Sequence, residues 1–464
     1  MKKSIIFIEP RGGKTNVFDN YMKLPLMGSL YLGTILFNHG YQVQILNENV
    51  LAKEIDPFEI NADIFCISSL TVNANRSKLL ASQLKQIHPM SKIFIGGIHA
   101  SLLPEEFIEV ADHVIIGEAE EIILDIMEDK FKEKIIQGSR TKDLENLPKV
   151  NYSLLLGIQN MKLIPIMTSR GCPFDCNFCT VTKIFGKNFR MQSPKRIVEE
   201  IENTFRYFKK QTFFIYDDNF AANKERVNEF CDILIEKKIN INWVAQVRSD
   251  LARDPELIAK MASAGLKLVF IGFESISDET LKILHKSQTK SDIEKAIRTF
   301  HEYGVDIHGM FMFGEDNETA ENISETAEFA IENKIDTIQF MIITPFPGTQ
   351  FFDQIVKENR LFHKDWDYYN GMFIVFQTKN ISPVKLLNST YQAYKRFYSL
   401  RRTILDICII IFDIFLDALV WNFERIKRYN LDILLIRAFS KKLVTKYSDV
   451  YSTYMQYLSE IEKE

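Results

Sequence analysis

Thr168-Ser169-Arg170-Gly171-Cys172-Pro173-Phe174-Asp175-Cys176-Asn177-Phe178-Cys179 places three cysteines within eight residues at the spacing CxxxCxxC. The stretch follows directly on Pro165 to Ser169, a short run that reads as a strand. A cluster of thiols on one loop is a metal-ligand pattern in a reducing compartment rather than a disulfide framework. The other cysteines, Cys66, Cys231 and Cys408, sit in apolar strand or helix patterns and read as packed thiols.

Downstream of this loop, strands are expected at Phe213 to Asp217, Asn242 to Val247, Leu268 to Gly272, Asp306 to Phe313 and Thr337 to Met341. Helices alternate with them at Pro194 to Phe208, Arg226 to Lys237, Pro255 to Ala264, Asp278 to Leu284, Ser291 to Tyr303 and Ala320 to Asn333. With the strand before the cysteines, this makes a partial (β/α)6 barrel of the TIM type, whose chemistry belongs at the carboxyl ends of the strands. Upstream, strands at Ser4 to Ile8, Gln42 to Leu46, Ile64 to Ser68, Lys92 to Ile95 and His113 to Ile116 alternate with helical segments at Gly28 to Asn38, Arg76 to Ile87, Glu105 to Val110 and Glu120 to Phe131. Short loops between alternating elements require crossovers, hence a doubly wound, Rossmann-like parallel sheet. The expected division is 1–137 for this α/β domain, 138–164 for a linker, 165–380 for the barrel and 381–464 for a helical C-terminal domain.

A chain of 464 residues exceeds what one core accommodates, so several domains are expected. Hydrophobic residues at 46% and charged residues at 25% suit folded protein. The balance of 57 Lys plus Arg against 61 Asp plus Glu, a net charge of −4, gives no support to a nucleic-acid partner. The apolar run before Glu9 is too short for a signal peptide and reads as the first strand. Ile404 to Trp421 is the most apolar stretch, but Asp406, Asp413 and Asp417 interrupt it, which argues against a transmembrane helix. Two readings stay open there. One is a core helix; the other is peripheral membrane contact through 404–421, flanked by Arg401-Arg402 and by Trp421, Arg425, Lys427 and Arg428. The expected location is cytoplasmic, with membrane association under the second reading.

Three thiolates can hold three irons of a 4Fe-4S cluster and leave the fourth iron open to a ligand. Structural zinc would ask for a second CxxC-like knuckle, and none follows. The spacing, with the aromatic Phe178 before the last cysteine, resembles the signature of the radical SAM superfamily. The resemblance implies that Cys172, Cys176 and Cys179 bind the cluster and that its open iron chelates S-adenosylmethionine. Reductive cleavage would then give a 5′-deoxyadenosyl radical that abstracts a substrate hydrogen. It further implies that Asp217 or Asp218 receives the methionine ammonium, that Arg248 pairs with its carboxylate and that Glu274 accepts from the ribose. Gly309 to Glu315, with Gly309 and Gly314, would lie along adenine. Taken singly, each acidic residue also reads as a solvated loop residue or helix cap.

In the first domain, Ser68-Ser69-Leu70 and Gly96-Gly97 end successive strands and are separated by Thr71 to Ile95. A bulky nucleotide tail sliding between strands needs small side chains and bare backbone beside it. These elements resemble the SxL and GG motifs of cobalamin-binding domains, with Gly96-Gly97-Ile98-His99 and Gly117-Glu118-Ala119-Glu120 supporting the likeness. The family's DxHxxG element corresponds to Lys23-Leu24-Pro25-Leu26-Met27-Gly28, where Pro25 stands in place of histidine, so no lower axial histidine is expected. His99 reads either as a residue approaching the cofactor or as one capping the following turn; the bland alternative for Gly96-Gly97 is a plain turn.

Together these features resemble cobalamin-dependent radical SAM enzymes over about residues 1 to 380. The resemblance implies methylation of an unactivated carbon, using a 4Fe-4S cluster, S-adenosylmethionine and cobalamin. The implied substrate is a small or lipid-like molecule, and the implied reductant resembles flavodoxin or ferredoxin. Two alternatives stand beside it: the same cofactors used for ring formation, rearrangement or oxidation, and a non-catalytic cobalamin or iron-sulfur carrier. Thr344-Pro345-Phe346-Pro347-Gly348-Thr349, after the last barrel strand, reads as a rigid substrate-entry loop or as a plain turn.

Overall fold

The computed structural model describes residues 2–399 except 14, 17, 18, 20–22, 210 and 211, together with 402, 404, 411, 412, 448 and 450–462. Most of 404–421, Cys408 and the charged residues that flank this stretch therefore lie outside the described residues. Among those described, no helix is long and apolar enough to cross a membrane. The chain forms two compact units. Unit one is Met1–Ala245 with Pro345–Asn359 and His363–Asn370; unit two is Gln246–Thr344 with Arg360–Phe362 and Gly371–Glu464.

Unit one opens with a parallel sheet of β1 (Ser4–Glu9), β2 (Gln42–Asn47), β3 (Ile64–Ser68), β4 (Lys92–Gly96), β5 (His113–Ile116) and β6 (Ile135–Gln137), in the order β2-β1-β3-β4-β5-β6. Ile5 to Ile8 and Ile64 to Ile67 are buried along their whole length, as strands covered by helices on both faces must be. The register sets Ser68 beside Gly96, so the two small-residue motifs meet at one end of the sheet. The sixth strand was not expected from the sequence. The helix expected over Glu120 to Phe131 runs only from Ile123 to Met127, because the chain turns through Asp129 at φ 63° and re-enters the sheet. The helix expected over Glu105 to Val110 is replaced by Ile98–Leu102 and a single 3-10 turn at Pro104–Phe107. Pro104 causes the break, since it disfavours helical geometry at Leu103 and can only begin a new turn.

The single strand expected at Pro165 to Ser169 is split. β7 (Ile164–Ile166) pairs in parallel with β10 (Thr212–Ile215), while β8 (Ser169–Arg170) turns away to pair antiparallel with β9 (Arg190–Met191). The remaining strands are β11 (Asn242–Val247), β12 (Leu266–Glu274), β13 (Asp306–Phe313) and β14 (Thr337–Ile342), and the second sheet has the order β7-β10-β11-β12-β13-β14. Helices alternate with these strands as the periodicity predicts. Thr289 with Asp292, and Thr319 with Asn322, form capping boxes at two of their starts.

β14 is an edge strand, and the helix Pro383–Phe397 treats it as one. Tyr398 Oη accepts from Ile338 N and donates to Ile338 O, both at 2.8 Å, and Tyr394 Oη accepts from Phe340 N at 2.9 Å. The two tyrosines are one helical turn apart and so face the strand together. Past this helix, residues 450–461 are helical, and Tyr454 Oη donates to Ile374 O at 2.7 Å. Replacing Tyr398 with phenylalanine leaves the buried Ile338 N–H and C=O unmatched, and should cost about 1–3 kcal/mol. Urea denaturation of the purified protein should show the lowered midpoint.

Candidate functional site

The cysteine loop is built by a glycine and a two-stranded ribbon. At Gly171, φ is 89° and a Cβ would lie 2.5 Å from Asn188 O and 2.9 Å from Gly186 O, so only glycine lets β8 and the returning chain approach so closely. Cys172 N donates to Gly186 O, and Cys179 N closes a turn onto Cys176 O at 3.2 Å. All three cysteines are half-buried. Burial pushes the Cys179 thiol up to about 12, with the charges of Asp218, Cys176 and Cys172 adding to it, so the four groups share one neighbourhood. Among the described residues no three His, Cys, Asp or Glu side chains converge on single-ion geometry. A cubane, in which each thiolate takes a different iron, asks for no such convergence.

The structure separates the two aspartates. Asp217 is buried, and its carboxylate accepts from Thr168 N (2.7 Å), Ser169 N (3.0 Å), Ser169 Oγ (2.6 Å) and Thr168 Oγ1, with Arg226 at 3.5 Å. It is committed to holding the strand ends together. Asp218 points elsewhere: its side chain is reachable by solvent yet has protein on most sides. Burial among those protein atoms, then the charge of Asp217, pushes its carboxyl up to about 7. An ammonium group brought beside it would favour the ionised form.

In unit two, Arg248 follows β11 with Asp250 3.8 Å away. Glu274 ends β12 at φ 62°, a left-handed conformation rare outside glycine, next to a bulge between Gly272 and Glu274. Its carboxylate folds back over Gly272, where a Cβ would lie 2.4 Å from Glu274 Oε1, and meets Lys286 Nζ at 2.9 Å. Lys286 and Gln288, whose Nε2 donates to Phe273 O at 2.7 Å, were not singled out in the sequence. They lie in a loop without motif spacing, so no local pattern marks them. At Gly309, the room left by the missing side chain is taken by the Phe273 ring at 3.3 Å and by Ile335, so this glycine serves packing. Gly314, at φ 112°, turns the chain into a loop with two buried carboxyls, Glu315 and Glu318. One oxygen of each lacks a hydrogen-bond partner, and burial pushes their pKa values up to about 7 and about 8.

The end of the first sheet forms a cradle. At Gly97, φ is 98° and a Cβ would lie 2.6 Å from Ser69 O and 2.8 Å from Ser69 N. Ser69 N donates to Gly96 O, and His99 N to Ser69 O, which binds the two motif turns to each other. Gly28, exposed at the start of the helix Met27–Asn38, would present a Cβ to nothing within 4 Å, so the space beside it is open. His99 does not reach into such space. It is fully buried, with Nδ1 3.2 Å from Thr71 Oγ1 and its ring edge-on to Trp366 at 4.9 Å. Trp366 Nε1 donates to Glu106, 3.6 Å from His99 Nε2, and so holds the chain after the barrel strands onto this domain. Glu118, too, is occupied. Burial alone would raise its carboxyl, but Arg190 and Arg170 hold it below the usual value.

The chain matches two family models, the radical SAM superfamily over residues 166–330 and the B12 binding domain over residues 14–126. It belongs to the B12-binding radical SAM family. Among relatives, it is 29% identical over 397 residues to the bacteriochlorophyllide d C-8(2)-methyltransferase of Chlorobaculum tepidum, covering 79% of this chain and 87% of that protein. In fold it is similar to the radical S-adenosylmethionine methyltransferase TsrM from Kitasatospora setae, solved with cobalamin and a 4Fe-4S cluster bound. That likeness has a TM-score of 0.62 at 14% identity and covers 77% and 78% of the two chains. It is similar also to the cobalamin-dependent S-adenosylmethionine radical enzyme OxsB, with a TM-score of 0.68 at 14% identity over 100% of this chain and 80% of that one. The cofactors of this radical SAM protein are a 4Fe-4S cluster, S-adenosylmethionine and cobalamin. The residues present fit them: three thiols on one loop for the cluster, and a bare-backbone cradle for the cobalamin tail.

Two outcomes follow from this geometry. Gly97→Ala forces a methyl group against Ser69 and should weaken cobalamin retention at least roughly tenfold, measured by cobalt content after gel filtration. The raised carboxyls of Glu315 and Glu318 are protonated in the folded chain where the unfolded chain would ionise them. Stability is therefore full below the ordinary carboxylate range and falls as pH climbs through the folded values. Thermal unfolding of the apoprotein between about pH 5 and about pH 8 should show this decline, and Glu318→Gln should flatten it.

Proposed function

We propose that this radical SAM protein is a cobalamin-dependent C-methyltransferase acting on an unactivated carbon of a small molecule. The observation that carries the reading is the building of the cysteine loop and the glycine cradle within one compact unit. The relative named as a bacteriochlorophyllide methyltransferase, matched over most of both chains, supports methyl transfer to a small molecule. When bound, the cluster, S-adenosylmethionine and cobalamin supply one-electron cleavage, hydrogen abstraction and the methyl carrier.

The chain's own residues bind and orient. Cys172, Cys176 and Cys179 would hold the cluster through their thiolates. Asp218 takes the methionine ammonium, while Asp217 fixes the strand ends from which the cysteine loop departs. Arg248 offers its guanidinium fork to the methionine carboxylate, and Glu274, steadied by Lys286, accepts from the ribose. Gly314 lets the backbone turn at the end of β13, where the adenine would lie. Ser68, Leu70, Gly96, Gly97 and Gly117 leave room for the cobalamin tail, with His99 and Glu118 supporting them from behind. A low-potential donor such as flavodoxin or ferredoxin supplies electrons.

The test is anaerobic reconstitution, followed by reduction with S-adenosylmethionine carrying a labelled methyl group and an extract from a strain deleted for the gene. 5′-Deoxyadenosine should form, and one extract component should gain the label. 5′-Deoxyadenosine without transferred label points to ring formation, rearrangement or oxidation, and its absence points to a carrier. Serine at all three cysteine positions should remove iron and brown absorption while the far-ultraviolet circular dichroism stays unchanged.

A further inference from the structure

The residue just ahead of the cysteine loop is tied to the end of the first sheet by a buried ionic network. Arg170, 5% exposed, donates to Glu118 Oε2 through Nη1 at 2.6 Å and to Glu120 Oε1 through Nη2 at 2.5 Å. Arg190, opposite Arg170 in the β8–β9 ribbon, grips both oxygens of Glu118 at 2.9 and 2.5 Å. Thr141 N adds a third kind of donor to Glu118 at 3.1 Å. The path continues past Glu118. Gly117 N donates to Ser101 Oγ at 2.9 Å, and Ser101 donates to Gly97 O through Oγ at 2.8 Å and N at 3.0 Å. Hydrogen bonds and short covalent links thus run from the Gly97 cradle to Cys172 without interruption.

Such a network is a poor way to add stability. Desolvating two guanidiniums and two carboxylates costs about as much as their attraction returns, and apolar residues of the same volume would serve as well. What a guanidinium fork supplies is direction: parallel hydrogen bonds at fixed angles hold two loops in one register. The Arg170 side chain departs from the backbone two residues before the first iron ligand, and its partners stand one and three residues beyond Gly117.

We propose that Arg170 is a positioning residue that, through Glu118 and Glu120, fixes the separation between the cluster loop and the cobalamin cradle. The inference rests on the cofactor reading above. It requires that loosening the fork leave both cofactors bound but their spacing variable.

The experiment uses full-length protein carrying cluster and cobalamin, as wild type, R170K, which keeps the charge without the fork, and R170M. Pulsed electron paramagnetic resonance on the reduced cluster with cob(II)alamin reads the spin–spin distance. Wild type should give one narrow distribution, and both variants a distribution at least roughly twice as wide at unchanged iron and cobalt per chain. Distributions of wild-type width in the loaded variants overturn the proposal. If a variant fails to take up a cofactor, hydrogen exchange on the apoproteins decides. Amides of Ser101, Gly117, Thr141 and Cys172 should all speed up together by at least about tenfold in R170K, and acceleration confined to Cys172 overturns the proposal. A wild-type protein that takes up neither cluster nor cobalamin would defeat the cofactor reading instead, leaving the exchange result to judge the mechanical link alone.

Discussion

Two backbone N–H groups and two hydroxyls, all from Thr168 and Ser169, point at the carboxylate of Asp217, and the geometry of the cysteine loop depends on that arrangement. β7 ends at Ile166, and the chain must leave the sheet within a few residues to present the thiols. Breaking strand pairing there would orphan backbone donors in a buried place, a cost comparable to losing a hydrogen bond for each. Asp217 takes those donors in place of the neighbouring strand. Arg226 then balances its charge and also donates to Thr168 O at 3.0 Å, so the exit is closed from two sides. The loop is thereby rooted in the sheet.

The cradle in the first sheet works by the opposite means. There the close approach of Gly97 to Ser69 is possible because a side chain is missing, and the hydrogen bonds that stabilise it run between backbone groups and Ser101. One centre needs donors converging on a charge; the other needs bare backbone and room. Both sit at carboxyl ends of parallel strands, where α/β sheets leave their loops free to vary.

The parts of this architecture that are local in sequence could be read from it. The alternation of buried strands with amphipathic helices, the three-cysteine spacing and the paired small-residue motifs each lie within a short window; the helices after Cys179 stand near their expected bounds, whereas those expected at Glu105 to Val110 and Glu120 to Phe131 do not. The split of β7 from β8 was not visible, because the run from Pro165 to Ser169 is uniformly suited to a strand and only Asp217, far along the chain, diverts it. Likewise nothing in Tyr216-Asp217-Asp218-Asn219 says which aspartate is spent on structure; that depends on which one meets Thr168. His99 lies beside a glycine motif and so looked like a cofactor neighbour, yet Trp366, hundreds of residues later, encloses it. Lys286 and Gln288 acquire their role from the strained backbone at Glu274, which no composition rule anticipates.

The tyrosine pair on the helix Pro383–Phe397 has a consequence for solubility. A half-finished barrel ends in a strand whose free amides and carbonyls invite another chain to pair with it, a common route to aggregation. Here Ile338 N, Ile338 O and Phe340 N bond to phenolic hydroxyls, which cannot be extended by a further strand. The edge of this sheet can therefore stay open at β14 without offering Ile338 and Phe340 as a template to neighbouring chains in a crowded solution.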